Sequence, residues 1–273
     1  MKSFILHFAI CILQFAIAAR AQSPSTQPSG ATTQPATPAY PFPLYNASGH
    51  DLPGALPCHV VGMQFLWRPG DDRTKLPDPD YVRQQMAAWP DVLTLIDDEP
   101  PAPAYMLTPA FWDATTPAQC RANVQRDAQL LKLVRAARPD LAAKIDLWDR
   151  CVSDDYGGEA DPNLVQRALN DVASTLALAP IARLSHVVAI AAYRQAGQSD
   201  NDYRAHAVRL IYRARLHGKP VLITVCPANV DPAAFVQDVQ VLAHYADGVI
   251  VWDWDPQNQR TAWIAPLAAA LAK

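Results

Sequence analysis

Hydrophobic positions along this chain fall into two alternating kinds of segment. Short, almost wholly apolar runs are separated by longer stretches in which apolar residues recur every three or four positions. The short runs are His59–Trp67, Val92–Asp98, Ala143–Trp148, His186–Tyr193, Pro220–Cys226 and Gly248–Asp253. Each reads as a strand. Strands that are apolar on both faces are what a parallel sheet covered on both sides requires. Between them, Asp78-Pro79 supplies an N-cap and a first-turn proline ahead of Val82, Met86 and Trp89 at helical spacing, ended by Pro90. Cys120, Val124, Ala128, Leu131 and Val134 trace one helical face, stopped by Pro139. Pro162 opens a helix carrying Leu164, Ala168, Val172 and Leu176. Tyr203, Ala207, Leu210 and Ala214 mark another, ended by Gly218. Pro232 to Tyr245 and a stretch from about Thr261 complete the set.

Strands separated by helices of this size imply right-handed βαβ units and a parallel sheet. The predicted fold is α/β: a (β/α)8 TIM-type barrel with seven or fewer well-formed strands. An open doubly wound sheet is the competing arrangement, and the missing G-x-G-x-x-G turn weakens it.

The pattern breaks at the N-terminus. Lys2, the apolar run Phe4 to Ala19, and Ala19-Arg20-Ala21 form the three regions of a secretory signal peptide over residues 1–21, with cleavage expected after Ala21. The run is short for a membrane span, so no stable membrane insertion is expected after cleavage. Residues 22–40 are rich in Pro, Thr and Gln, without charge or large aliphatic groups before Tyr40. Such a segment buries too little surface to offset its ordering entropy and reads as an extended, disordered linker. One domain is expected over residues 41–273, located outside the cytoplasm, secreted or periplasmic.

The chain has 23 basic and 26 acidic residues, and loss of Lys2 and Arg20 leaves 21 basic ones. No basic run is present, which argues against a nucleic-acid partner. Cys58, Cys120, Cys151 and Cys226 would survive processing. In an oxidising compartment they are expected to form disulfides, with three possible connectivities. Cys226, behind an apolar strand, fits a buried free thiol as well.

Active sites of parallel α/β folds gather at the carboxyl ends of the strands. Here those ends carry Gln64 and Trp67, Asp97 to Glu99, Asp146, Trp148 and Asp149, Tyr193 and Arg194, Cys226, then Trp252 to Asp255. Rings that stack on sugar faces beside carboxylates that act as acid, base or orienting group make the composition of a sugar cleft. Strand alternation places Asp97 and Glu99 on one face with Leu93 and Leu95. Two such close carboxylates have coupled ionisations, so one stays protonated beside an ionised partner, as glycosidic cleavage needs. Asp97 and Glu99 are therefore the candidate catalytic residues. Gln64, Trp67, Trp148, Tyr193, Trp252 and Asp253 are the candidate substrate-binding residues. The histidines show no paired ligand spacing, so no metal and no cofactor is expected. Ser185-His186 lacks a G-x-S-x-G elbow, which speaks against a serine hydrolase.

The Asp97-x-Glu99 pair at a strand end resembles the catalytic motif of hyaluronidase-type and chitinase-type barrel glycosidases. The layout from Gly218 through Tyr245-Ala246-Asp247-Gly248 to Trp252 is similar to the last helix and aromatic-ended strand of the hyaluronidase family. The resemblance implies Glu99 as proton donor. It implies Asp97 as the group that orients a substrate acetamido nucleophile, and Trp252 as a subsite wall. Pro100-Pro101-Ala102-Pro103 replaces the family's aromatic- and acid-rich stretch after the motif. The expectation is a secreted glycoside hydrolase-like protein cleaving a polysaccharide or oligosaccharide. The alternative is a non-catalytic glycan-binding or cell-surface barrel. A metal-assisted hydrolase using Asp97, Asp98 and Asp146 is a third reading.

Overall fold

The computed structural model describes residues 42–62, 65–97, 117–149, 175–195, 197–228, 230–253 and 261–271. Seven strands form where both faces of an apolar run find cover: β1 (Leu44–Ala47), β2 (Leu56–Gly62), β3 (Leu93–Asp97), β4 (Ile145–Leu147), β5 (Val188–Ala191), β6 (Val221–Val225) and β7 (Gly248–Trp252). All neighbouring pairs are parallel, in the order β4-β3-β2-β1-β7-β6-β5. The two ends of that order meet through a single bridge between Trp148 and Ala189. The sheet is therefore a nearly closed, seven-stranded barrel with its strands in sequence order around the wall.

Six helices accompany it among the described residues: α1 (Pro79–Met86), α2 (Pro117–Ala137), α3 (175–184), α4 (Asp200–Arg215), α5 (Pro232–Tyr245) and α6 (Ile264–Leu271). Their starts are fixed chemically. Asp78 accepts from the Asp80 and Tyr81 amides, Asp231 from those of Ala233 and Ala234, and Ser199 from that of Asp202. These bonds satisfy N–H groups that a helix start leaves without partners.

Strand alternation divides the apolar residues into two cores. Ile96, Ile190, Val249 and Val251 face outward and pack with Val82, Met86, Leu131 and Leu210 of the helices. Leu95, Ala189, Ala191, Leu222, Ile250 and Trp148 fill the lumen. Gly248 starts β7 close against β6 and Pro43. A Cβ there would lie 2.8 Å from Leu222 Cδ2 and 3.0 Å from the Pro43 carbonyl oxygen.

Several sequence expectations are corrected. Strand β1 lies outside all the predicted runs; it has no β-branched residue and forms because β2 and β7 flank it on both sides. It joins β2 through residues 48–55 with no intervening helix, a short link for parallel neighbours. Asn46 folds this link, donating from Nδ2 to the His50 carbonyl at 2.6 Å and accepting from the Ser48 amide at 3.1 Å. Strand β2 ends at Gly62, not at Trp67. Leu176 does not belong to the buried face of α3: it is 69% exposed, and Leu178, Ile181 and Ala182 are the inward residues. The segments read as leader and linker, and the start of the helix opened by Pro162, lie outside the described residues.

The β4/β5 seam is held by side chains instead of a continuous ladder. Asp146 accepts from the His186 amide at 3.1 Å and the Val187 amide at 3.1 Å. Arg135, at the end of α2, donates to the same carboxylate at 2.7 Å, to the Ile145 carbonyl at 2.6 Å, and to that of Leu184. Its Nη2 also lies 2.7 Å from His186 Nδ1. Above them, Asp149 adopts a positive φ of 54°, and its carboxylate accepts from the Ala191 amide at 3.1 Å. Burial pushes the Asp146 carboxyl up to about 6, and Arg135 with the two amides keeps it from rising further.

Candidate functional site

The carboxyl ends of the strands form one rim, and register places the residues around it. Ala47 of β1 pairs with Trp252 of β7, and Gly62 of β2 pairs with Asp97 of β3. Trp148 follows β4 and donates its amide to the Ile96 carbonyl at 2.9 Å, which sets it beside Asp97. Asp97 continues the alternation of Leu93 and Leu95, both packed in the lumen, and is half-buried. Its interior-facing neighbour on one side is thus a glycine and on the other an indole.

Trp148 crosses the lumen. Its Nε1 donates to Thr224 Oγ1 of β6 at 3.1 Å, and the ring is only 3% exposed. Tyr193 and Trp252 stand against it edge-on, at centroid distances of 6.3 and 5.2 Å. Those two rings are tilted 31° to each other at 5.6 Å and remain half-buried. Trp148 is thus the floor of the mouth, while Tyr193 and Trp252 are its walls. This corrects the expectation for Trp148: its faces are covered by neighbours, leaving little surface for a sugar.

Below that floor the lumen holds Tyr45 of β1 and Cys58 of β2. Burial pushes the Cys58 thiol up to about 12 and raises Tyr45 as well, with Cys58 adding to the effect. Neither ionises at neutral pH, so this lower part is packing, as in barrel interiors generally. Cys58 and Cys226 are not joined in disulfides, which corrects the disulfide expectation for these two. Cys151 and the Cys120 side chain lie outside the described residues.

Two other candidates sit away from the mouth. Trp67 is 2% exposed; its Nε1 donates to the Lys75 carbonyl at 3.1 Å and Arg126 covers its ring at 5.6 Å. It belongs to the outer core because the chain leaves the barrel wall at Gly62. Asp253 follows Val249 and Val251 in alternation and is 8% exposed, with His50 Nε2 3.5 Å from its Oδ2. It ties the β1–β2 link to the end of β7 and does not line the mouth. Asp146 and Asp149, both among the strand-end residues, are engaged in the seam. Gln64, Asp98, Glu99, Trp254 and Asp255 lie outside the described residues.

Sequence reasoning passed over Thr224. The signal was one hydroxyl in the otherwise apolar run Val221–Val225, which must find a partner when buried. Among the described residues no group of three His, Cys, Asp or Glu is gathered as a metal centre, and no helix is long and apolar enough to cross a membrane.

No protein-family model matches the chain, and no curated protein matches it by sequence. Solved structures do. Bee venom hyaluronidase superposes with a TM-score of 0.58 at 11% identity, covering 85% of this chain and 100% of that one. The same enzyme in complex with a hyaluronic acid tetramer gives 0.59 at 12% identity, covering 85% and 99%. A GH5-4 broad specificity endoglucanase from an uncultured bacterium gives 0.47 at 11% identity, covering 80% and 71%. The resemblance drawn from the strand-end motif is thus shown at the level of fold. The chain has a (β/α)-barrel fold distantly similar to that of bee venom hyaluronidase.

Proposed function

We propose that this chain is an exported glycoside hydrolase acting on a polysaccharide or oligosaccharide. The observation that carries the reading is Asp97. It ends β3 on the interior-facing register, beside the side-chain-free Gly62 and beside Trp148, whose ring in turn meets the half-buried Tyr193 and Trp252. A carboxylate at the same rim as a cluster of aromatic rings suits a sugar ring, whose apolar face stacks and whose hydroxyls seek charge.

In this reading Glu99, two positions further along, gives its proton to the glycosidic oxygen as the C–O bond breaks. The substrate acetamido oxygen attacks the anomeric carbon, and Asp97 holds that group and its developing positive charge. Water then attacks the same carbon, the bond to the acetamido oxygen breaks, and the water gives a proton to Glu99. Tyr193 donates a hydrogen bond to the acetamido oxygen, and Trp252 forms the subsite wall. Glu99→Gln is expected to abolish turnover of acetamido-containing polysaccharide while leaving melting temperature and glycan retention unchanged. Undiminished turnover refutes the assignment. Retention without product in the wild-type protein would instead favour a glycan-binding barrel, for which the Tyr193–Trp252 pair suffices.

A further inference from the structure

Tyr193 stands just past the end of β5, and both of its neighbours in sequence are held from the helix-covered side. The Ala192 amide donates to the Thr224 carbonyl at 2.9 Å, and the Ala192 carbonyl accepts from Tyr203 Oη of α4 at 3.0 Å. On the other flank, Arg194 Nη2 donates to Asp238 Oδ2 of α5 at 2.6 Å, and Nη1 bonds to Asp200 at the start of α4. The guanidinium also lies over the Tyr203 ring at 4.8 Å. Asp238 is itself buried and gives its second oxygen to Arg204 Nε at 2.7 Å.

Burying two guanidinium groups around a carboxylate costs desolvation that well-packed apolar residues would avoid. What such a network supplies is directional, because a planar fork fixes the backbone that carries it. Successive extended residues point to opposite faces, so anchoring Ala192 and Arg194 outward sets the direction of Tyr193 inward.

We propose that Arg194 is a positioning residue: held by Asp238 and Asp200, it fixes the backbone beside Tyr193 so that the phenol keeps its tilted partnership with Trp252 at the barrel mouth. The consequence for ligand binding rests on the glycan reading above; the consequence for ring geometry does not.

The test is a double-mutant cycle of Arg194→Gln with Tyr193→Ala in the full chain, read in two ways. Near-ultraviolet circular dichroism of the ligand-free protein reports the Trp148–Tyr193–Trp252 cluster, and calorimetry reports affinity for chitotetraose and a hyaluronan tetrasaccharide. Arg194→Gln is expected to diminish the aromatic band that Tyr193→Ala removes, and to weaken oligosaccharide binding about tenfold, the order expected of one misplaced aromatic contact. With Tyr193 already replaced, Arg194→Gln should change neither readout, although it lowers the melting temperature in both backgrounds. An equal loss with and without Tyr193, or an unchanged band in Arg194→Gln, overturns the proposal. If the wild-type protein binds neither oligosaccharide, the glycan reading fails and the dichroism cycle alone decides the positioning role. Should Arg194→Gln not fold, Asp200→Asn, which removes the exposed partner of Arg194, carries the same cycle with a smaller change.

Discussion

Replacing Asp146 with alanine tests how the barrel is closed. The carboxylate is 1% exposed and takes the place of ladder bonds to the His186 and Val187 amides while neutralising Arg135, which is 13% exposed. Truncation leaves two amides without acceptors and a largely buried guanidinium without its counter-charge. Breaking a buried ion pair costs about 3–5 kcal/mol, and each orphaned amide about 1–3 kcal/mol. These share one site and do not add, so a loss of about 4 kcal/mol is the expectation. For a domain of this size, about 2–4 °C is lost per kcal/mol, which puts the melting temperature about 10 °C lower. Differential scanning calorimetry and urea titration measure it, and amide exchange at His186 and Val187 should accelerate in step. Arg135→Met alone should cost a similar amount, and the double variant clearly less than the two together. A drop of less than about 1 kcal/mol for Asp146→Ala, or strict additivity in the cycle, would refute a seam held by side chains.

Three further outcomes are expected. Because the folded-state pKa of Asp146 is raised to about 6, the folded chain holds a proton that the unfolded chain has released. Its contribution to stability therefore falls as pH rises between about 4 and 6, by at most about 1.4 kcal/mol per unit. His186, lowered by burial, Arg135 and Lys219, works in the opposite direction, so the difference in melting temperature between wild type and Asp146→Asn across that range isolates the carboxyl. Gly248→Ala should lower stability by about 1–3 kcal/mol in urea titration, because its Cβ would press on Leu222 and the Pro43 carbonyl. Thr224→Val should cost about 1–3 kcal/mol in urea titration by leaving Trp148 Nε1 without its acceptor.

The helices were legible wherever local chemistry decides them. Asp78-Pro79 and Asp231-Pro232 cap α1 and α5, and the faces marked by Val124 and Leu131 and by Ala207 and Leu210 are buried. The period was legible too, since Leu93, Leu95 and Asp97 share the interior face. Strand β1 escaped because four residues without β-branching carry no local signal, and only its two neighbours make it a strand. Trp67 misled because an apolar run continuing past Gly62 looks the same whether it stays in the wall or crosses to the outer core. Asp146 and Asp149 stood out only as strand-end carboxylates because their partners at the start and end of β5 lie some forty positions away, a separation at which pattern says nothing.

Strand β1, near the start of the domain, bonds along its whole length to β7, near its end. Contacts this distant in sequence form late, since chain closure must precede any gain from them. During synthesis the β7-facing edge of β1 therefore stays open until Gly248–Trp252 has emerged, and a truncation that removes those residues would leave a curled ribbon with raw borders at β1 and β6.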